Sequence, residues 1–121
     1  MTRIQVKRIY NPPSKSDGYR ILVDRLWPRG LSKQNARLDQ WFPEIAPSEE
    51  LRKWFNHDAD LWFEFKKRYF EELNRNSTHT QKLIELMQSQ SETITLLYAS
   101  KEESHNNAQA LLSFLLEKEV W

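Results

Sequence analysis

One apolar run constrains the fold of this chain more than any other feature: Thr93-Ile94-Thr95-Leu96-Leu97-Tyr98-Ala99. Its β-branched and aromatic residues favour a strand, and it lacks strict alternation between apolar and polar positions. A strand of this kind is covered on both faces, as in the centre of a parallel sheet. We therefore expect helices on both sides of the sheet.

Two further strands and one extended segment are predicted before this run. Residues 4 to 10 begin with a period of two, which predicts a first strand, and Ile21-Leu22-Val23 predicts a short buried one. Residues 38 to 47 contain Pro43 and Pro47, which each remove a backbone donor. This segment is predicted to be an edge strand or a strand-like connection.

Helical patterns fill the chain between the second strand and the apolar run. Ser48 precedes two glutamates and predicts the N-cap of a short helix. A long amphipathic helix is predicted from the spacing of Leu61, Trp62, Phe65, Tyr69 and Leu73, which should pack on Leu96 and Leu97. Another helix is predicted from Thr78 or Thr80. Residues 31 to 37 carry too few apolar residues to decide between a short helix and a loop.

The last helix is predicted to begin at Ser100-Lys101-Glu102-Glu103, which has the spacing of a capping box. With this helix, the order of elements predicts a small single α/β domain over residues 1–121. Its sheet should be mainly parallel and three- or four-stranded, with helices on both faces. A chain of 121 residues is long enough to bury a self-supporting core. Trp121, the last residue, should fold back on the sheet or meet a partner chain.

Composition excludes several classes of site. The formal net charge of +1 gives no strong reason for nonspecific binding to DNA or to an anionic membrane, so a nucleic-acid partner is not expected. The absence of cysteine excludes disulfides, thiolate zinc sites, iron–sulfur clusters and cysteine nucleophiles. Three scattered histidines argue against a structural metal, and no cofactor is expected. No apolar run approaches the roughly 18 residues of a membrane span, so we expect a cytoplasmic protein.

Charge collects at the end of the second predicted strand. The stretch Tyr19–Gly30 holds three arginines and one aspartate, and the only two glycines of the chain, Gly18 and Gly30, bracket it. Pro28 ends the strand by pushing Trp27 toward an extended conformation. Ligands of open α/β sheets bind outside the carboxyl ends of the strands, so a site is expected here. The preceding loop, Asn11–Gly18, could act as its lid.

Arg20, Asp24, Arg25 and Arg29 could form an anion pocket in this stretch. Guanidinium groups bind phosphate or carboxylate with two parallel hydrogen bonds, and Asp24 could orient one arginine. The alternative is a partly buried Asp–Arg network that fixes the loop. In a regular strand Asp24 and Arg25 would point to opposite faces, so both could serve one pocket only with a bulge.

Ser100, His105 and Asn106 follow the apolar run at the predicted start of a helix, where free N–H groups favour anions. His105 is the candidate acid or base, because its reference pKa lies near neutrality. The alternative for His105 is an exposed residue in the first helical turn. Parallel strands end at the same edge of a sheet, so Arg25 or Arg29 and His105 are predicted to reach one ligand. His57 with Asp58 could be half of an acid–base pair or an ordinary helix cap.

Several motifs together resemble the YeaO-like branch of domain-of-unknown-function family 488. They are Ile4–Tyr10, Gly18–Gly30 with its Val23-Asp24-Arg25 and Trp27-Pro28-Arg29-Gly30, Ala46–Ser48, Leu51–Asp58, and Leu96–Lys101 with His105-Asn106. The resemblance implies a small bacterial cytosolic α/β protein without agreed catalytic residues. Other branches look as though they carry cysteine near the positions of Tyr98 and His105. This chain has none, so thiol chemistry cannot be transferred to it.

Two functional hypotheses follow. The first is a small protein that binds, and in one version also acts on, an anionic metabolite or nucleotide at the strand ends. The second is a noncatalytic interaction or regulatory domain, in which the arginine turn is structural and exposed aromatic residues bind a partner. A concave pocket with Arg25 or Arg29 and His105 would favour the first, and a flat aromatic patch the second.

Overall fold

A four-stranded parallel sheet forms the centre of the molecule in a computed structural model that describes residues 3–118. The strands are β1 (Ile4–Arg8), β2 (Tyr19–Leu22), β3 (Gln40–Trp41) and β4 (Ile94–Tyr98), in the order β1-β4-β2-β3. Every neighbouring pair is parallel. The predicted small α/β fold with a mainly parallel sheet is confirmed.

Five α-helices surround the sheet within these residues: α1 (Lys33–Ala36), α2 (Glu49–Phe55), α3 (Trp62–Arg75), α4 (Ser77–Gln88) and α5 (Asn107–Glu117). Single 3₁₀ turns occupy Lys15–Asp17, Pro43–Ile45 and Ala59–Leu61. Ser48 caps α2 as predicted, because its side chain accepts a hydrogen bond from the Leu51 N–H. No helix of residues 3–118 is long and apolar enough to cross a membrane. Trp121 lies outside the described residues.

Strand β4 is buried along its whole length between β1 and β2. Successive side chains of β4 point to opposite faces of the sheet, so Leu96 and Leu97 enter different cores. Leu96 lies in the larger core with Phe65 and Tyr69 of α3. The expectation that Leu97 also lies beneath α3 is wrong, since it packs with Leu22 in the smaller core on the other face.

A cluster of three charged side chains lies on the side of the sheet that carries the smaller core. The Asp17 carboxylate contacts the Lys7 ammonium and the Arg20 guanidinium. Arg20 also donates to the carbonyls of Ala36 and Arg37 at the end of α1, at 2.9 and 3.1 Å. One guanidinium thereby pairs with a buried carboxylate and satisfies carbonyl groups at the C-terminal end of α1.

The loop Asn11–Gly18 does not form the predicted lid. It runs from the end of β1 to the start of β2, and so crosses to the opposite edge of the sheet. There the Asp17 carbonyl accepts a hydrogen bond from Thr95 Oγ1 at 2.6 Å. Gly18 follows with φ of +63°. Its Cα lies so close to the backbone of Thr93 that an added Cβ would stand 2.0 Å from the Thr93 carbonyl oxygen.

The last helix, α5, begins at Asn107, so its N-cap, Asn106, lies six residues beyond the predicted N-cap Ser100. Ser100 and Glu103 do not form the predicted capping box, because the Ser100 hydroxyl accepts the Glu102 N–H. The Glu102 carboxylate accepts the N–H groups of Ser104 and His105, which holds the segment before α5 in turns and lowers the Glu102 pKa. Asn106 is the N-cap of α5, because its side-chain oxygen accepts the Gln109 N–H at 2.9 Å.

Candidate functional site

A cleft of about 330 Å³ opens at the carboxyl ends of β2 and β4. Four segments supply most of its lining: the turn after β2, the segment from the end of β4 to the start of α5, the connection before α2, and the C-terminal end of α2 with the residues that follow it. Tyr10 after β1 and Phe65 of α3 complete it. The lining residues are Tyr10, Asp24, Arg25, Leu26, Trp27, Pro28, Arg29, Ala46, Pro47, Arg52, Phe55, His57, Phe65, Ala99, Ser100, His105, Asn106 and Asn107. The cleft therefore contains most of the residues that sequence patterns singled out.

The turn after β2 presents both Asp24 and Arg25 to the cleft. Strand β2 ends at Leu22, so the alternation that would separate two neighbouring side chains has ceased before Asp24. Trp27 is fixed by its indole N–H, which donates to the Leu31 carbonyl at 2.6 Å. Gly30 ends the turn with φ of +75°.

Gly30→Ala should lower the free energy of unfolding by about 1 kcal/mol, because alanine tolerates this left-handed backbone less well than glycine. An added Cβ would meet no atom within 4 Å, so backbone strain is the sole expected cost. Urea unfolding followed by tryptophan fluorescence measures it. A neutral or stabilising effect would show that the turn relaxes to an ordinary φ.

Asp24 is held by neutral donors and not by an arginine. Its carboxylate accepts the Ala99 N–H and the Asn107 side-chain amide, each at 2.9 Å. Burial raises the pKa of Asp24 above its ordinary value, although these two hydrogen bonds and the charge of Arg52 oppose the shift. The expectation that Asp24 orients an arginine of the turn is not met.

Three arginines give the cleft its charge: Arg25, Arg29 and Arg52. Arg25 donates to the carbonyls of Ala46 and Pro47, at 3.1 and 3.3 Å. Within residues 3–118, no carboxylate lies within salt-bridge distance of Arg25 or Arg29, and Arg52 reaches Glu49 at 3.9 Å on the surface. Against these three cations the lining contains one carboxyl group, that of Asp24.

His105 lies at the other wall of the cleft, before the start of α5 rather than in its first turn. Its ring is 4.9 Å from that of Trp62, and its Nδ1 is 4.0 Å from the Glu102 carboxylate. Ser100 and Asn106 also line the cleft but are engaged in the local turns. Ser100 Oγ accepts the Glu102 N–H, and the buried Asn106 amide donates to two backbone carbonyls.

Arg20 does not line the cleft. It lies near the start of β2, with its guanidinium directed to Asp17 and the end of α1, so its role matches the structural alternative. The structure thus brings together Asp24, Arg25, Arg29, Ser100, His105 and Asn106, and leaves Arg20 at the opposite end of the strand.

Sequence patterns missed three polar residues of the cleft: Tyr10, Arg52 and Asn107. His57, which the sequence offered as half of an acid–base pair or as part of a helix cap, has a further signal in the structure: it follows Asn56 and both take left-handed backbone conformations, with φ of 57° and 44°. Such strain in non-glycine residues clusters at functional sites. Asn56 ends α2 and Asp58 caps the next turn, so the predicted cap is present, while the His57 side chain faces the cleft.

A second cavity of about 380 Å³ lies on the other side of Arg25. It is a more open groove whose lining includes Glu44, Glu72 and Arg75. Its charges are therefore mixed, and Glu72 is already engaged by the N–H and hydroxyl of Ser48. Among residues 3–118 no group of three or more His, Cys, Asp or Glu side chains is placed to hold a metal ion.

Fold and cleft together define a small parallel α/β protein with a cationic cleft at the carboxyl ends of its central strands. The chain belongs to domain-of-unknown-function family 488: residues 3–120 match the model DUF488-N3i, described as the inactive DUF488-N3 subclade.

Curated relatives agree with this assignment. The uncharacterized protein YeaO of Escherichia coli is 44% identical over 112 residues, which cover 93% of this chain and 96% of that protein. An uncharacterized protein of Mycobacterium tuberculosis is 45% identical over 73 residues, or 60% of this chain and 62% of that protein. No solved structure matches the chain significantly.

Proposed function

We propose that this protein binds a small anionic metabolite, a phosphate or a carboxylate, in the cleft at the ends of β2 and β4. The observation that carries the proposal is the pair Arg25 and Arg29, which line a concave cleft and have no carboxylate partner within residues 3–118. Cations that have no carboxylate counter-charge in a cleft favour binding of an anion.

The side chains of Arg25 and Arg29 differ in how firmly hydrogen bonds hold them. Arg25 is held by two backbone carbonyls, which fixes its guanidinium at the boundary of the cleft. No side-chain hydrogen bond engages Arg29 in the described part of the chain, and its backbone carbonyl accepts the Tyr10 hydroxyl at 2.7 Å. Arg29 is therefore anchored through its main chain while its charge is available to a ligand.

The description of the matching family model as an inactive subclade favours the version of this proposal in which no reaction is catalysed. His105 then serves as a hydrogen-bonding group at the wall of the cleft. When protonated, it would add a positive charge opposite the arginines.

The interaction-domain hypothesis has less support. Large exposed apolar side chains are present, but they come from separate elements: Tyr10, Leu26, Trp41, Phe63 and Leu116. Single exposed apolar residues are normal on soluble domains.

Arg29→Glu and Arg52→Glu should each weaken anion binding at least tenfold, because each replaces an attractive charge in the cleft with a repulsive one. A thermal-shift screen with inorganic phosphate, ribose 5-phosphate, citrate and acetate would find the ligand, since a ligand that binds only the folded state raises its apparent stability. Isothermal titration calorimetry would then compare the variants.

Lys82→Glu is the matched control, because it makes the same change of charge at an exposed position of α4 outside the cleft. It should leave the affinity within about twofold, as expected for a distant, screened charge. Equal losses in all three variants would mean that net charge and not the cleft governs binding. If none of the four anions and no nucleotide shifts the melting temperature, the proposal fails.

A further inference from the structure

We propose that the ligand carries an aromatic ring and a hydroxyl group besides its anionic group, which is the chemistry of a nucleoside monophosphate, and that Asp24 accepts the hydroxyl. This inference rests on the proposed function and names the class of anion that the cleft selects. It follows from the aromatic rings and the carboxyl group that share the cleft with the arginines.

Tyr10 and Trp27 give the cleft an aromatic wall that is fixed in place. The Tyr10 hydroxyl donates to the Arg29 carbonyl at 2.7 Å, and the Trp27 indole N–H donates to the Leu31 carbonyl at 2.6 Å. The polar atoms of both rings are therefore engaged with the same turn of backbone. What remains of each ring for a ligand is its apolar surface, which suits stacking on a planar ring.

Neighbouring side chains hold both rings further. The guanidinium of Arg8 lies 4.7 Å from the centre of the Tyr10 ring. Trp41 contacts Trp27 edge to face, with ring centres 5.4 Å apart. Rings that are already ordered lose little side-chain entropy when a ligand stacks on them, so their contribution to affinity is larger.

Asp24 supplies an acceptor for a neutral donor. Each of its oxygens accepts one hydrogen bond from the protein, from Ala99 or Asn107, and a carboxylate offers about four acceptor positions. No cation lies within salt-bridge distance of Asp24 in residues 3–118, although arginines line the same cleft. The phosphate of a ligand would avoid this carboxylate, whereas a sugar hydroxyl would donate to it.

The size of the cleft fits the same class. Its volume of about 330 Å³ lies at the lower end of the range for pockets that enclose whole small molecules. A bare phosphate would leave most of the apolar wall without contact.

Calorimetry at fixed ionic strength tests the inference with the four ribonucleoside 5′-monophosphates, their nucleosides, ribose 5-phosphate and inorganic phosphate. The tightest monophosphate should bind at least tenfold more strongly than ribose 5-phosphate, as stacking on an aromatic ring predicts. Phosphate that binds as tightly as every monophosphate would overturn the inference and leave the proposed function standing. If no compound binds, the proposed function itself fails.

Two sets of variants separate the contribution of the ligand's aromatic ring to affinity from that of its hydroxyl group. Tyr10→Leu and Trp27→Leu should weaken the monophosphate at least tenfold and leave ribose 5-phosphate within twofold, and Trp27→Phe should restore most of the loss. Asp24→Asn should weaken the ribonucleotide at least tenfold but its 2′,3′-dideoxy analogue less than twofold. Equal losses for both nucleotides would overturn the role of Asp24. If Trp27→Leu does not fold, the Tyr10→Leu and Trp27→Phe variants decide the question.

Discussion

Gly18→Ala should lower the free energy of unfolding by on the order of 4 kcal/mol, which is a large part of the roughly 5–15 kcal/mol that stabilises a domain. Two costs combine. The backbone at Gly18 has φ of 63° and ψ of −126°, a region that side chains rarely adopt. An added Cβ would also stand 2.0 Å from the Thr93 carbonyl oxygen, which is backbone and cannot rotate away.

The Thr93 carbonyl, which the added methyl group would displace, already accepts a hydrogen bond. Thr93 accepts the Tyr19 N–H at 2.7 Å, the hydrogen bond that begins the pairing of β2 with β4. Shifting Thr93 to admit a methyl group would lengthen this bond and loosen the central strands at their amino ends. Urea unfolding measures the effect, and Gly30→Ala is the matched control, since it adds the same atom at a positive φ with free space around it. Equal losses of unfolding free energy in the two variants would show that the contact with Thr93 does not contribute to the effect.

Asp17→Asn should lower the free energy of unfolding by on the order of 3 kcal/mol, because it leaves the buried guanidinium of Arg20 without a counter-charge. The Arg20 side chain is 5% exposed and that of Asp17 is 2% exposed, so water cannot replace the lost partner. Glu64→Gln, which removes a pair with Arg68 whose side chains are nearly half exposed, should cost less than about 0.5 kcal/mol. Guanidinium chloride unfolding of both variants makes the comparison.

The same pair makes stability depend on pH. Burial raises the pKa of Asp17, but hydrogen bonds from the Ser14 N–H, Lys7 and Arg20 outweigh it and hold the pKa below its ordinary value. A lowered pKa in the folded state means that the contribution is fully present above about pH 4, the unfolded value, and is lost as the pH falls through the folded value. The difference between wild type and Asp17→Asn should therefore narrow below pH 4. A constant difference down to pH 2 would contradict this assignment.

Periodicity predicted the parts of the fold that depend on local pattern. The unalternating run became the central strand β4, and the apolar stripe of α3 placed Phe65 and Tyr69 in the core. The start of α5 was missed because Ser100 and Glu103 have the spacing of a capping box, while the neighbouring Glu102 can accept hydrogen bonds from nearby N–H groups. In the structure the hydrogen bonds to Glu102 prevail, since its carboxylate binds two N–H groups of the turn.

The sequence predicted where the candidate site lies better than it predicted which residues line it. Parallel strands that end at one edge bring Arg29 and His105 to one cleft, and this follows from topology. Arg20 and Arg25 look equivalent in the sequence, yet Arg20 lies near the start of β2 and Arg25 lies in the turn after its end, at the edge of the sheet where the cleft opens. Arg52 and His57 enter the cleft from α2 and the turn after it, and no local pattern shows which way that helix docks.

The position of β4 in the sheet determines when the molecule can fold. The first two strands of the chain are not neighbours: β2 can pair early with β3, but β1 must wait for β4, where Gln5 meets Thr95 across 90 positions. Pairing at this distance requires a long loop to close first, which slows folding and leaves β1 and the β4-facing side of β2 unpaired in the meantime. Helices α2 to α4 can form earlier from local contacts. The cleft then appears in the same step as the sheet, because β4 leads directly to Ala99, whose N–H holds Asp24.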